Sequence, residues 1–202
     1  ELLRAPQPTQ LQSAVQKALV SHLGETPQMK YPRGGEELSP IVLRDLDGDG
    51  TDEAAVLYTT DTTSSNVWLA VLEPTGESSW RVSRVVEGLT SEVQSFSAAH
   101  LKDTSSQQLL AGYVSPQGDQ YLVVYQYDGD TLSTVISKSY TDMIVADFTG
   151  KGDTQDLVLA LPPDTELGGV TLQLLTANDG EFRSTQTLNL GEGVYSLSLI
   201  HI

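Results

Sequence analysis

Cysteine is absent from the 202 residues, which removes disulfides, thiolate metal sites and cysteine nucleophiles together. Basic residues are scarce: 11 Lys and Arg against 27 Asp and Glu leave a net charge of −16 and a pI near 4.3. With no basic stripe to displace counterions from phosphates, nucleic acid is excluded as a partner, and an anionic membrane surface is disfavoured for the same reason. No apolar run approaches the roughly 18 residues that cross a bilayer. The opening ELLRAPQPTQ is not a signal peptide, so any export signal is expected outside this sequence. The three histidines, His22, His100 and His201, are too few and too scattered for a metal triad or a catalytic base. G-x-S-x-G, phosphate-loop and H-E-x-x-H patterns are missing, and PRGGEE at 32–37 reads as a turn.

What remains is an ordinary globular composition, 39% hydrophobic, on an acidic chain suited to solubility, calcium or a cationic partner. Residues 1–38 read as an N-terminal segment with one amphipathic helix at about 11–23. Leu11, Val15, Ala18, Leu19 and, at the end, His22 or Leu23 fall on one face at 3.6 spacing. Thr9 and Gln12 have capping-box spacing, Gly24 suits a left-handed cap, and Pro27 prevents continuation. A helix with one apolar face must dock on something, here the domain that follows.

From residue 39 the pattern changes to short alternating or β-branched runs broken by Gly, Asp, Asn and Ser. LAVLEPTGESSWRV (69–82), LVVYQYDGDTLSTV (122–135) and LQLLTANDGEFRST (172–185) superpose without a gap, with turn glycines Gly76, Gly129 and, one place later in its segment, Gly180 lying 53 and 51 residues apart. Upstream of each hairpin, PIVLRDLDGDGTDEAAVLY, SFSAAHLKDTSSQQLLAGY and DMIVADFTGKGDTQDLVLAL share an apolar strand, a polar loop and a second apolar strand. The repeat is therefore a four-stranded antiparallel unit, at about 39–88, 93–138 and 141–188. VYSLSLIHI supplies the first strand of a fourth from 194, with His201 at the position of Asp45, His100 and Asp147. This is a mostly β chain, and units of that size and strand count are expected to form part of a β-propeller, a β-sandwich being the rival. Three units and a strand do not close a ring. A portion of a longer protein is the expectation, and an open arc capped by the helix the alternative.

The loop DLDGDGTDE, residues 45–53, sets five carboxylates in nine positions around two glycines. Calcium takes about 6–8 oxygen ligands, and alternate loop residues offer them: Asp45, Asp47 and Asp49 by side chain, Thr51 by its carbonyl, and Glu53 closing the cage. The start matches an EF-hand loop, but position twelve is Val56 and the flanks are strands, which excludes that motif. In the third copy Lys151 replaces Asp49, setting an ammonium against a cation, and the second copy, HLKDTSSQQ, keeps only Asp103 and reads as a plain turn. One site at most survives. The competing reading is that Asp and Gly simply make tight turns between strands.

D-x-D-G-D-G-x-x-E between two apolar strands, recurring in degraded form within four-stranded units, resembles the FG-GAP or VCBS-type repeat of integrin-like β-propellers. That resemblance implies calcium held by Asp45, Asp47, Asp49, Thr51 and Glu53, with glutamate replacing the usual aspartate at the last position. The stretch from Gln28 to Tyr58 is also similar to uncharacterised lipoproteins of gut Firmicutes, and ELLRAPQPT resembles the segment following their lipidated cysteine. This implies an extracytoplasmic, cell-surface lipoprotein of a Gram-positive bacterium, meeting the membrane only through an anchor outside this sequence. The expected function is a non-catalytic binding or scaffold module for an unidentified protein or glycan, stabilised by one calcium. The alternative is a cell-envelope enzyme, for example on polysaccharide, completed by further blades. No paired carboxylates stand out to favour it.

Overall fold

The structure, a computed structural model, describes residues 9–61, 65–163, 169–178 and 181–190. Among these described residues one helix, α1 (Gln10–Leu23), precedes thirteen strands. Its first turn is closed reciprocally: Gln12 N donates to Thr9 Oγ1 at 3.2 Å, and Thr9 N donates to Gln12 Oε1 at 2.9 Å. Gly24, at φ 75°, ends it with its N–H on the Val20 carbonyl.

Each repeat builds one antiparallel sheet. The first contains β1 (Gln28–Met29), β2 (Ile41–Arg44), β3 (Glu53–Thr59), β4 (Trp68–Gly76) and β5 (Ser79–Glu87). The second runs β6 (Glu92–Ala99), β7 (Gln108–Val114), β8 (Gln120–Tyr127) and β9 (Leu132–Tyr140), and the third β10 (Asp142–Ala146), β11 (Asp156–Leu161), β12 (Thr171–Asn178) and β13 (Glu181–Asn189). Apart from β1, neighbours in sequence within a unit are neighbours in its sheet, as short connections dictate. The two-residue β1 is an addition that periodicity does not reveal: beyond the end of β2, Gln28 and Met29 pair with Thr59 and Tyr58. The strand expected from 194 lies outside the described residues.

The sheets pack face to face, so the inner strands have two apolar sides. Every residue of β3 from Glu53 to Tyr58 is buried. Ala54, Val56 and Tyr58 face α1, where Val15 and Leu19 are fully buried with Ala70 and Leu72. Ala55 and Leu57 face the second sheet, against Leu109, Ala111, Tyr113, Val123 and Tyr125. Leu110, Leu122 and Val124, on the reverse of that sheet, meet Leu157, Leu159 and Leu175 of the third. This two-sided cover explains why β3 and β7 read as continuous apolar runs instead of alternating ones.

Backbone latches recur between sheets. Gln107 N donates to the Asp45 carbonyl at 3.0 Å, and Gln155 N donates to the His100 carbonyl at 2.7 Å. At Gly88 the first sheet touches the second so closely that an added Cβ would lie 2.6 Å from Tyr113 Cε1 and 2.7 Å from the Val67 carbonyl oxygen. Gly88→Ala is therefore expected to cost about 1–3 kcal/mol through overpacking, seen as a lower urea midpoint with an unchanged m-value.

Candidate metal centre

The loop between β2 and β3 is wound by its own carboxylates. Asp45 accepts from Gly48 N at 2.7 Å through Oδ1 and from Gly50 N at 2.9 Å through Oδ2. Asp47 accepts from Asp49 N at 3.1 Å, and Asp49 from Thr51 N at 2.7 Å. Gly48 and Gly50 sit at φ 86° and 89°, a left-handed backbone that side chains resist. The result gathers Asp45, Asp47 and Asp49 so that one oxygen from each lies within 4.8 Å of the others. That spacing fits a cation held at about 2.3–2.6 Å from each oxygen. Among the described residues no other group of three such side chains converges in this way.

Of the five expected ligands, the structure brings these three together. Thr51 is exposed beside them. Glu53 stands outside the group, only 2% exposed, with Oε2 accepting from Leu46 N at 2.8 Å. Its equivalents do the same. Gln108 Oε1 accepts from Leu101 N and Lys102 N at 3.0 and 2.9 Å, and Asp156 Oδ2 from Phe148 N and Thr149 N at 3.0 and 2.9 Å. The first residue of the second strand thus holds the loop backbone in all three units, including the two without the acidic triad. The sequence signal was present in the aligned Glu, Gln and Asp, all acceptors of different length.

Electrostatics makes the first loop the strained copy. Burial raises the Asp47 pKa, and the charges of Asp49, Asp45 and Glu73 add to this against the Asp49 N–H bond. Burial lifts Glu53 further, to about 7, with Asp47, Asp49 and Asp45 adding and the Leu46 N–H opposing. A folded-state pKa above the ordinary 4.5 means that the folded protein holds this proton more tightly than the unfolded chain does. Metal-free stability is therefore expected to fall as pH rises from about 4.5 to 7. Glu53→Gln should flatten that fall while keeping the bond to Leu46, as Gln108 does in the second unit; urea midpoints measured across this range check it.

The neighbourhood includes groups that the loop motif alone does not reveal. Glu73 of β4 accepts from the Tyr127 hydroxyl at 2.5 Å, and Ser83 Oγ lies 2.7 Å from that hydroxyl. The Tyr127 bond, with help from Ser83 and from Arg81 and Arg84, keeps Glu73 below its usual pKa despite burial, so it stays charged near Asp47. Gly129 follows on the second sheet's hairpin, where a Cβ would lie 3.2 Å from Asp47 Oδ2.

The other loops are differently filled. In the third, Asp147 accepts from Lys151 N and Gly152 N, and the Lys151 ammonium donates to the Ala177 carbonyl at 3.3 Å. In the second, Asp103 Oδ1 collects the N–H and hydroxyl groups of both Ser105 and Ser106, an internally satisfied turn. His100 is engaged at both ring nitrogens, Nδ1 3.1 Å from the Ser106 carbonyl and Nε2 2.9 Å from Gln107 Nε2. That is a strand-end structural role. No protein-family model matches the chain, and no curated protein matches it either.

Proposed function

We propose that the chain is a non-catalytic extracytoplasmic binding or scaffold module of β-propeller type, whose first loop holds one calcium ion. The observation that carries the reading is the convergence of Asp45, Asp47 and Asp49 in one loop of three related loops. Three carboxylates at that distance repel unless a cation or full hydration relieves them. Oxygen-only donors on a flexible, glycine-turned backbone suit calcium over softer metals. Occupancy at the ~10⁻⁴–10⁻³ M affinities of extracellular modules agrees with the exported location that the lipoprotein resemblance implies.

The packing of the sheets supports a binding or scaffold reading. The facing sides of the first and second sheets, and of the second and third, are filled by each other, and two grooves open on the surface. One is lined by Ser137, Lys138, Ser139, Leu161 and Pro162, and a second by the strand ends around Asp119 and Tyr140. Neither brings two carboxylates together for glycoside hydrolysis.

Hydrogen exchange with and without calcium tests the proposal. Calcium is expected to slow exchange across residues 45–53 while leaving the equivalent segments 100–108 and 147–156 unchanged. Equal exchange in the first loop under both conditions would overturn it.

A further inference from the structure

The third sheet carries a face with the composition of an inter-sheet contact and nothing among the described residues packed on it as the other such faces are packed. Three strand positions and one loop position make these contacts in the first and second units. In the first sheet they are Ala55, Leu69, Val71 and the loop residue Leu46, all fully buried against the second sheet. In the second they are Leu110, Leu122, Val124 and Leu101, at most 2% exposed and packed against the third. Register and alignment give Val158, Leu172, Leu174 and Phe148 as the third set. There Val158, Leu172 and Leu174 are only half-buried, and Phe148 is 49% exposed. Leu188, at 57%, extends the same face beside Leu172. Phe148 is not held open by its loop, because its N–H makes the same bond, to Asp156, that Leu46 makes to Glu53 and Leu101 to Gln108.

In both complete cases the next sheet covers such a face, and the first strand of the next unit is part of that cover, beside its second and third strands. Phe96 and Ala98 of β6 join Leu46 in one core, and Met143 and Val145 of β10 join Leu101 in the next. These residues stand four and two positions before His100 and Asp147. Four and two positions before His201 stand Leu197 and Leu199, with Ser196 and Ser198 alternating. A period of two with apolar residues at the covering parity is the pattern of a strand with one buried side.

We infer that the outer face of the third sheet is the docking site of this chain's own residues 194–202, with Leu197 and Leu199 seated on Phe148, Val158, Leu172 and Leu174. The pairing extends the two existing interfaces by the same positions and is independent of the calcium reading. Its apolar character makes it the counterpart of α1, which covers the opposite end of the stack at Ala54 and Val56.

Replacing the exposed ring, Phe148→p-benzoylphenylalanine, in the full chain places a photocrosslinker at this site without disturbing a buried side chain. Irradiation followed by fragmentation mass spectrometry is expected to join position 148 to residues 197–199 of the same chain. The crosslink is expected to vanish in Leu197→Asp/Leu199→Asp and persist in Ser196→Asp/Ser198→Asp. A crosslink between two chains would assign the face to a second copy and overturn the inference. So would a monomer whose crosslinks miss 194–202, or equal yields in the two double variants.

Discussion

Leu19→Ala is expected to lower the unfolding free energy by about 2–5 kcal/mol, the usual cost of truncating a fully buried leucine. Leu19 and Val15 are the two completely buried residues of α1, and they close the face of β3 formed by Ala54, Val56 and Tyr58. Ala54 of that strand face and Ala70 beside it are small, so the helix side chains supply much of the volume and little is available to refill the gap. The helix is 14 residues long, a length at which isolated helices are marginal, so its persistence depends on this contact. Lys17→Ala, on the exposed side of the same helix, should change stability by no more than about 0.5 kcal/mol. Urea denaturation of both variants decides the matter. A Leu19→Ala cost below that of Lys17→Ala would show that the helix is not a structural cap.

Calcium is expected to raise the melting temperature of the parent chain, and Asp47→Asn to remove that rise. At a free concentration 100 times the dissociation constant, one site stabilises by about 2.7 kcal/mol. Asparagine keeps the oxygen that accepts from Asp49 N but removes the charge. Asp47 is the member of the triad whose ionisation burial and the Asp49, Asp45 and Glu73 charges oppose. The same substitution should therefore leave the metal-free protein as stable as the parent or more so. A variant that merely damaged the loop would lower both melting temperatures. Asp103→Asn, in the internally satisfied second loop, should leave the calcium response intact.

The parts of the fold that sequence makes legible are those in which one residue's side chain reports its environment directly. The helix was readable to within a residue because Thr9, Gln12 and Gly24 each perform a local backbone task. The three sheets were readable because each unit repeats its apolar strands and loops at nearly constant spacing, and the four main strands of the first sheet, β2 to β5, fall within the expected unit of about 39–88. Strand β1 escaped because two residues carry no period; its place is set by the free edge of β3 beyond β2. The acidic triad was legible from alternate Asp residues on a glycine-turned loop. The tie between Glu53 and Leu46 was not, since a carboxylate in an acidic run reads first as a ligand, and only the shared bonding of Gln108 and Asp156 shows the backbone task. Glu73 and Tyr127 join the neighbourhood from 20 or more residues away, through the stacking of two sheets, which no local pattern encodes.

Calorimetric titration of the metal-free chain with calcium tests the central claim most directly. One ion per chain is expected to bind with measurable heat in the parent and in Asp103→Asn, with no binding in Asp47→Asn. Absence of heat in the parent, with no calcium-dependent change in melting temperature, would contradict it, as would undiminished binding by Asp47→Asn.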